Sequence, residues 1–187
     1  MTGKQLENCL VEHCAPTLAG IKSAGLFSYY YKDESGAKKE LKAVNRLLNE
    51  KGVYVEPLIW RERFVLVYVY RPGYLKDELH RPGVMELLVE YGYEDSGVDT
   101  CLAHLKERLQ HYSCFPHEIG VFLGYPLEDV KGFIEHGGQN CKSCGMWKVY
   151  CDTAEAEKLF DKMKKCSRVY RQVFSQGRSL AQLTVCV

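Results

Sequence analysis

Cysteine, histidine and aromatic residues are concentrated between residues 114 and 151 of this chain. Cys141 and Cys144 have the spacing with which a loop presents two thiolates to one metal ion, or with which it forms a redox dithiol. Cys151 and His117 are further ligands that folding could bring to this pair. Three other residues are alternative ligands: Cys114, His136 and Cys166. The hypothesis is a zinc or iron centre held by Cys141, Cys144, Cys151 and His117.

The same residues also have a simpler interpretation. A four-ligand zinc site usually takes a second Cys-x-x-Cys pair, and this sequence has none. A redox pair usually opens a helix, where the helix dipole lowers the thiol pKa, whereas Cys141 and Cys144 precede a predicted strand. Unligated thiols beside the turn at Gly137 and Gly138 therefore stand as the alternative to a metal or redox site.

Four residues are candidates for acid–base or nucleophilic catalysis: His117, Glu118, Cys14 and Cys144. A cysteine nucleophile needs a neighbouring base, and His117 could supply it. The alternative is structural, because Pro116 and Glu118 are both typical of the first turn of a helix.

Aromatic and basic residues also suit a flat ligand that carries an anionic group. The candidate ligand-binding residues are Tyr68, Tyr70, Trp147, Lys148, Tyr150, Arg168 and Arg178. Basic side chains recur at helical spacing over residues 162–178. They predict either a solvated helix face or a surface for an acidic partner protein.

Residues 117–135 have the glycine and apolar spacing of a helix-turn-helix. The second helix of this segment carries Glu128, Asp129 and Glu135 against the single Lys131, so its charge disfavours contact with phosphates. We interpret the segment as a helical hairpin and do not expect nucleic-acid binding.

The chain has 187 residues, a net charge of +1 and 46% hydrophobic residues, which fits one soluble domain. Neither an apolar leader nor a membrane-length apolar segment is present, so we expect a cytoplasmic protein without a membrane partner. Its nine cysteines are an odd number, and we expect reduced thiols.

The elements that must position these residues predict an α+β fold. β-Branched and aromatic residues indicate a hairpin over residues 53–71, whose second strand is apolar on both faces and should be central. Further strands are expected near 26–32 and 146–151, giving a small mixed sheet. Helices are expected over residues 3–13, ending before Pro16, at 41–48, from Val98 to Tyr112, and from Thr153 to about Ser175. They should cover the sheet within a single domain, residues 1–187.

Five segments resemble the bacterial domain-of-unknown-function family 3793, which is found mainly in anaerobic Firmicutes. The segments are HCAPTLAGIK, FPHEIGVFLGYPLEDVKGFI, WKVY, KKCSRVY and GRSLAQLTV. The resemblance spans nearly the whole chain and implies no known reaction, ligand or catalytic residue. It also implies that cysteine positions vary between Asn140 and Trp147, so Cys141 and Cys144 are not a fixed ligand set of the family.

The function expected from these residues is binding of a small ligand or metal centre by the cluster at 114–151. The alternatives are a thiol enzyme with a cysteine nucleophile and His117 as base, and a regulatory module that binds a partner protein.

Overall fold

The computed structural model describes residues 3–111 and 115–186. The chain divides into two compact units, one of the residues up to Tyr74 together with those from Lys165 onward, and one of Leu75–Lys164. Compactness alone does not decide whether a unit folds independently. The expectation of a single domain therefore stays a prediction.

The first unit contains α1 (Gly3–Leu18), β1 (Ala24–Tyr30), α2 (Glu34–Asn49), β2 (Tyr54–Trp60), β3 (Phe64–Tyr70) and α9 (Leu180–Leu183). The second unit contains α4 (Val84–Val89), α5 (Val98–His111), α6 (Ile119–Phe122), α7 (Leu127–Glu135), β4 (Ser143–Cys144) and β5 (Lys148–Val149). Helices α3 (Pro72–Leu79) and α8 (Thr153–Ser175) contribute to both units. None of the helices in the described ranges is both long and apolar enough to cross a membrane.

The sheet of the first unit has the strand order β1-β3-β2, and both pairings are antiparallel. The predicted hairpin and the predicted strand near 26–32 are confirmed, as is the α+β class. β3 is central, and all of its residues except Phe64 are buried, as expected for a strand that is apolar on both faces. The register of β2 shifts between Pro57 and Ile59, where proline lacks the N–H that a regular ladder needs.

The expected strand near 146–151 is present only as β5, which pairs with β4 in a separate two-stranded sheet. The three-stranded sheet is therefore antiparallel rather than mixed. The strand is short because the next two backbone N–H groups, of Tyr150 and Cys151, donate to the side chain of Asp129. Those donors are consequently not available to extend a ladder.

Helix α2 shows how local sequence sets an element of the first unit. The Asp33 carboxylate caps its N-terminus by accepting hydrogen bonds from Ser35 N at 3.0 Å and Gly36 N at 2.8 Å. One face of the helix then enters the core through four buried residues: Ala37, Leu41, Val44 and Leu48. These pack in one apolar cluster with α1 and with Val65, Val67 and Val69 of β3.

Helix α1 is longer than predicted, because it continues through Pro16 to Leu18. Proline removes one N–H donor, but Ala19 N still donates to Ala15 O at 2.9 Å, so the last turn is retained. The guanidinium group of buried Arg71 donates to Thr17 O and Leu18 O, each at 2.8 Å. The end of α1 is therefore closed by a side chain from the end of β3.

In the second unit, α5 follows the predicted helix closely. Its apolar stripe is buried through four residues: Cys101, Leu102, Leu105 and Leu109. Tyr112 was predicted to end this helix, and Cys114 was predicted as an alternative metal ligand. Both lie outside the described residues. Helices α6 and α7 follow as a helical pair joined at Gly124, whose φ of 70° favours glycine.

Candidate ligand-binding pocket

The second unit encloses a pocket of about 370 Å³ beside α6, α7 and the β4–β5 hairpin. Its aromatic lining consists of Phe115, Tyr125, Phe133 and Trp147. Its aliphatic lining consists of Ile119, Leu123, Val130 and Met146. Its polar side chains are His117, Asp129, Cys144 and Lys148, and Gly120 and Gly145 complete it. We call this cavity the hairpin pocket.

Close approaches at three glycines bring the walls of this region together. A Cβ at Gly120 would lie 2.8 Å from Val130 Cγ2, and one at Gly132 would lie 2.6 Å from the ring of Tyr150. A Cβ at Gly145 would lie 2.3 Å from the ring of Phe160. Side chains cannot occupy these positions without displacing a neighbour. Glycine therefore permits the contacts of α6 with α7 at Gly120, of α7 with the hairpin at Gly132, and of the hairpin with α8 at Gly145.

Asp129 fixes the hairpin to α7. Its carboxylate is 2% exposed and accepts three hydrogen bonds. Oδ2 accepts from Trp147 Nε1 at 2.8 Å, and Oδ1 accepts from the backbone N of Tyr150 at 2.7 Å and of Cys151 at 3.0 Å. A buried carboxylate is stable only with such donors. Asp129 therefore sets the position of Trp147 in the pocket wall.

Ring packing gives the pocket flat walls. The rings of Tyr125 and Trp147 stack with centroids 4.9 Å apart and an interplanar angle of 26°. Phe160 packs edge-on against Trp147, with ring centroids 4.5 Å apart. Burial raises the pKa of the Tyr125 phenol, which is thus a neutral hydroxyl at neutral pH.

Three polar side chains on the lining are those that the sequence singled out. His117 is exposed and packs edge-on against Phe133, with ring centroids 5.0 Å apart. Lys148 Nζ donates to Gly138 O at 2.5 Å and lies 5.8 Å from the ring centroid of Phe133. Cys144 is exposed. The structure thus brings together His117, Cys144, Trp147 and Lys148 in one cavity.

Glu118 occupies a different position from its neighbour His117. Its side chain is fully buried, forms an ion pair with Arg108 and accepts a hydrogen bond from Tyr93 OH at 3.1 Å. Burial, and then the Glu118 carboxylate, raise the pKa of Tyr93. Glu118 does not line the hairpin pocket. Its Oε1 is the oxygen that Arg108 and Tyr93 contact, whereas its buried Oε2 has no hydrogen-bond partner among the described residues.

The predicted metal ligands do not form a group. Within residues 3–111 and 115–186, no three His, Cys, Asp or Glu side chains are arranged to hold a metal ion. Cys141 and Cys151 flank the hairpin but are absent from the pocket lining, whereas Cys144 and His117 line it. Burial is the main cause that raises the pKa of Cys151. A zinc or iron centre at these residues therefore stays a prediction.

Cys14 lies in the core of the first unit. It is 0% exposed, and a Cβ at Gly25 would lie 2.8 Å from its sulfur. Burial raises the pKa of its thiol to about 12. A nucleophilic cysteine must reach solvent or substrate as a thiolate, so these properties disfavour a catalytic role for Cys14.

Tyr68 and Tyr70 are also buried rather than presented to a ligand. Their side chains are 0% and 6% exposed, and their rings stack with centroids 5.1 Å apart. The register pairs Leu26 with Tyr68, and residues on a strand alternate between faces. Tyr29 of β1 therefore lies on the opposite face of the sheet from Tyr68 and Tyr70, so the three rings cannot line one pocket. Tyr150 is half-buried, and its hydroxyl donates to Gln139 O at 3.0 Å.

The basic segment at 162–178 is only partly helical. Helix α8 ends at Ser175, so Arg178 lies beyond it and does not continue the helical row. Arg168 is exposed, and Arg171 pairs with Glu12 at 2.9 Å. Arg171 and Arg178 line a wide groove of about 820 Å³ in the first unit. Binding of an acidic partner stays a prediction.

The helix-turn-helix-like segment has its second helix covered. α7 buries Asp129 and Gly132, and Gly132 packs against Tyr150 of the hairpin. The exposed charges on α7 are Glu128, Lys131 and Glu135. The exposed face of α7 thus carries two carboxylates and one ammonium group, a charge balance that disfavours phosphates, and the expected absence of nucleic-acid binding stays a prediction.

Sequence reasoning missed Asp129, which was assigned to the charged surface of α7. The available signal was its position three residues before Gly132 and four before Phe133, which places it on the same helical face. A polar residue on a face that contains a packed glycine indicates an internal hydrogen-bonding role rather than solvent exposure.

These features define an α+β protein that has an aromatic pocket beside a short hairpin. Residues 10–184 match the family model described as protein of unknown function (DUF3793), and the chain belongs to this family. No curated protein and no solved structure gives a significant match to the chain.

Proposed function

We propose that this protein binds a small, flat organic molecule in the hairpin pocket. The observation that carries the proposal is the convergence of four aromatic side chains with His117, Cys144 and Lys148 in one cavity of about 370 Å³. Small-molecule sites are typically cavities of about 300–1,000 Å³, lined by apolar and aromatic groups with a few polar groups that orient the ligand. The hairpin pocket has this composition.

Exposed apolar side chains at the pocket support the proposal. Phe115 is 49% exposed and Met146 is 39% exposed, and both line the cavity. Large apolar side chains that stay in water around a concave apolar site are typical of binding surfaces. A ligand that covers them gains their burial in addition to its contacts with the inner walls.

Tryptophan fluorescence tests the proposal directly. The chain has two tryptophans, Trp60 in the first unit and Trp147 in the pocket wall. A Trp60→Phe variant leaves Trp147 as the reporter, and titration with 2-naphthoate, 2-naphthamide and 2-naphthylmethylammonium should give a saturable change for at least one probe. A Trp147→Phe variant, which keeps only Trp60, should give none.

A side-chain truncation separates the pocket from nonspecific adsorption. Met146→Ala should weaken probe binding several-fold, because it removes part of the apolar lining. Leu47→Ala is the matched control, since Leu47 is 41% exposed on α2 and lies away from this lining. Equal binding by both variants, or no saturable signal with any probe, would remove the proposal.

A thiol enzyme is the second candidate, favoured by the presence of Cys144 and His117 on the lining of the same cavity. In such an enzyme His117 takes the thiol proton, and the Cys144 thiolate adds to a carbonyl carbon of the bound molecule. The C=O π electron pair then moves to the oxygen, which receives the proton from His117. Iodoacetamide at neutral pH should then label Cys144 much faster than Cys151 and Cys186, which are also exposed. His117→Gln should abolish the difference. Equal labelling of the three thiols would exclude this candidate.

A further inference from the structure

We infer that the ligand of the hairpin pocket is an aromatic carboxylate whose acid group binds the ammonium group of Lys148. This inference rests on the proposed function and assigns the chemical class of the ligand. It follows from three features of the lining: the unfilled donors of Lys148, the occupied acceptors of Asp129 and the flat aromatic walls.

Lys148 has donor capacity that the protein does not use. An ammonium group has three N–H donors. Among the described residues, the one acceptor that the structure gives Lys148 Nζ is Gly138 O at 2.5 Å. This contact directs the side chain towards Phe133, whose ring centroid lies 5.8 Å from Nζ. Two N–H donors are therefore left for a ligand, and the charge of the ammonium group favours an anionic acceptor such as a carboxylate.

Asp129 does not offer equivalent acceptors to a cationic ligand. A carboxylate has about four acceptor positions, and three on Asp129 are occupied by Trp147 and by the backbone of Tyr150 and Cys151. In the described part of the chain Asp129 also forms no ion pair with Lys148 that would neutralise the ammonium. The unused polar capacity of the pocket is thus mainly that of a donor.

The walls define the rest of the ligand. Three rings lie on the lining, those of Tyr125, Phe133 and Trp147, and the rings of Tyr125 and Trp147 stack on each other with an interplanar angle of 26°. Flat rings pack against such surfaces with offset or edge-to-face geometry. A cavity of about 150 Å³ already holds benzene. The hairpin pocket, at about 370 Å³, therefore has room for a bicyclic ring that bears a carboxylate.

Three probes with one ring system test the charge preference: 2-naphthoate, 2-naphthamide and 2-naphthylmethylammonium. On the full chain with Trp60→Phe, 2-naphthoate should bind about tenfold more tightly than the neutral amide, and the cation should bind most weakly. Lys148→Met should reduce the preference to less than about twofold, while Lys148→Arg should retain most of it. Far-UV circular dichroism establishes that each variant is folded.

Lys142→Met is the matched control. Lys142 lies on the same hairpin segment, is exposed and donates to Cys151 O at 3.2 Å, but does not line the pocket. Its removal should leave the preference for 2-naphthoate unchanged.

The outcomes separate the inference from the proposed function. Binding of all three probes with similar affinity, or a preference that survives in Lys148→Met, overturns the carboxylate assignment and leaves the pocket as a ligand site. Absence of binding by all three overturns both. A preference lost in Lys148→Met and kept in Lys142→Met supports the assignment.

Discussion

The hydrogen bonds of Asp129 predict a measurable coupling between α7 and the hairpin. Replacement of Asp129 by asparagine preserves the shape of the side chain and one carbonyl oxygen. That oxygen can still accept from Tyr150 N and Cys151 N, which now donate to a neutral group. The new amide group instead faces the indole N–H of Trp147, so two donors meet where a donor met an acceptor.

The magnitude follows from the bond that is lost. A hydrogen bond to a charged group contributes about 1.5–3 kcal/mol, and a buried donor left without an acceptor costs about 1–3 kcal/mol. These values overlap, because the first partly includes the second. Relief from burying a charge offsets part of the loss. We expect Asp129→Asn to lower the free energy of unfolding by about 2–3 kcal/mol.

A double-mutant cycle with Trp147→Phe isolates the interaction. In the native background, Trp147→Phe removes one donor from the Asp129 carboxylate and leaves that oxygen without its partner. In the Asp129→Asn background, the same change removes a donor that already lacks an acceptor, so it should cost less. The two substitutions should therefore be non-additive by about 1–2 kcal/mol.

Urea unfolding followed by far-UV circular dichroism measures all four proteins without relying on the indole that is removed. Glu128→Gln is the control, because Glu128 is the exposed neighbour of Asp129 and its change should stay within about 0.5 kcal/mol. Additivity of the two substitutions to within about 0.5 kcal/mol would refute the assigned role of Asp129.

Three further predictions concern the rest of the fold. Gly132→Ala should destabilise the protein because its Cβ would lie 2.6 Å from Tyr150, whereas Gly73→Ala, in a helix with no atom within 4 Å of its Cβ, should stabilise it by about 0.5–1 kcal/mol. The two substitutions should shift the urea midpoint in opposite directions, and a common direction would contradict the packing. Arg71→Met should lower the free energy of unfolding by about 3 kcal/mol or more, because it leaves buried carbonyl groups without donors. The control is Arg63→Met at an exposed position, which should change the free energy of unfolding by less than about 0.5 kcal/mol. An equally small change for Arg71→Met would count against this role. Burial raises the pKa of Cys14 from 9.0 to about 12, so the native state keeps a proton that the unfolded chain loses. The contribution of Cys14 to the free energy of unfolding is complete below pH 9 and falls by about 1.4 kcal/mol per pH unit above it. Urea unfolding from pH 8 to 11 should therefore show this loss in the native protein and not in Cys14→Ala.

Elements governed by local periodicity could be predicted from the sequence. β3 alternates valine with aromatic residues or Leu66, and its central position follows because both faces are apolar. Helix α5 was predictable for the same reason, since its stripe of buried residues has helical spacing. In both cases the side chains that define the pattern also form the packing.

Features that depend on long-range partners could not be predicted in this way. The backbone of Tyr150 and Cys151 was expected in a strand, but their N–H groups bond to a carboxylate more than twenty positions earlier. Cys144 and His117 line one pocket and Cys141 and Cys151 do not, while the metal-binding and catalytic roles expected for these residues stay predictions. The sequence separation of two residues limits how far apart they can lie in the fold, but the direction of each side chain is set by tertiary packing.

The glycine contacts beside the pocket also limit how this sequence can change over evolutionary time. A methyl group at position 145 is compatible with the fold only after Phe160 has become smaller, because it would meet only ring atoms of that residue. The order of these two substitutions is therefore constrained, because the large-to-small change has to come first. A methyl group at position 132 would also lie 2.7 Å from Cβ of Tyr150, so a smaller side chain at 150 does not make room for it. Across the family, side-chain volumes at 145 and 160 should vary inversely, whereas position 132 should stay glycine whatever the size of the side chain at 150.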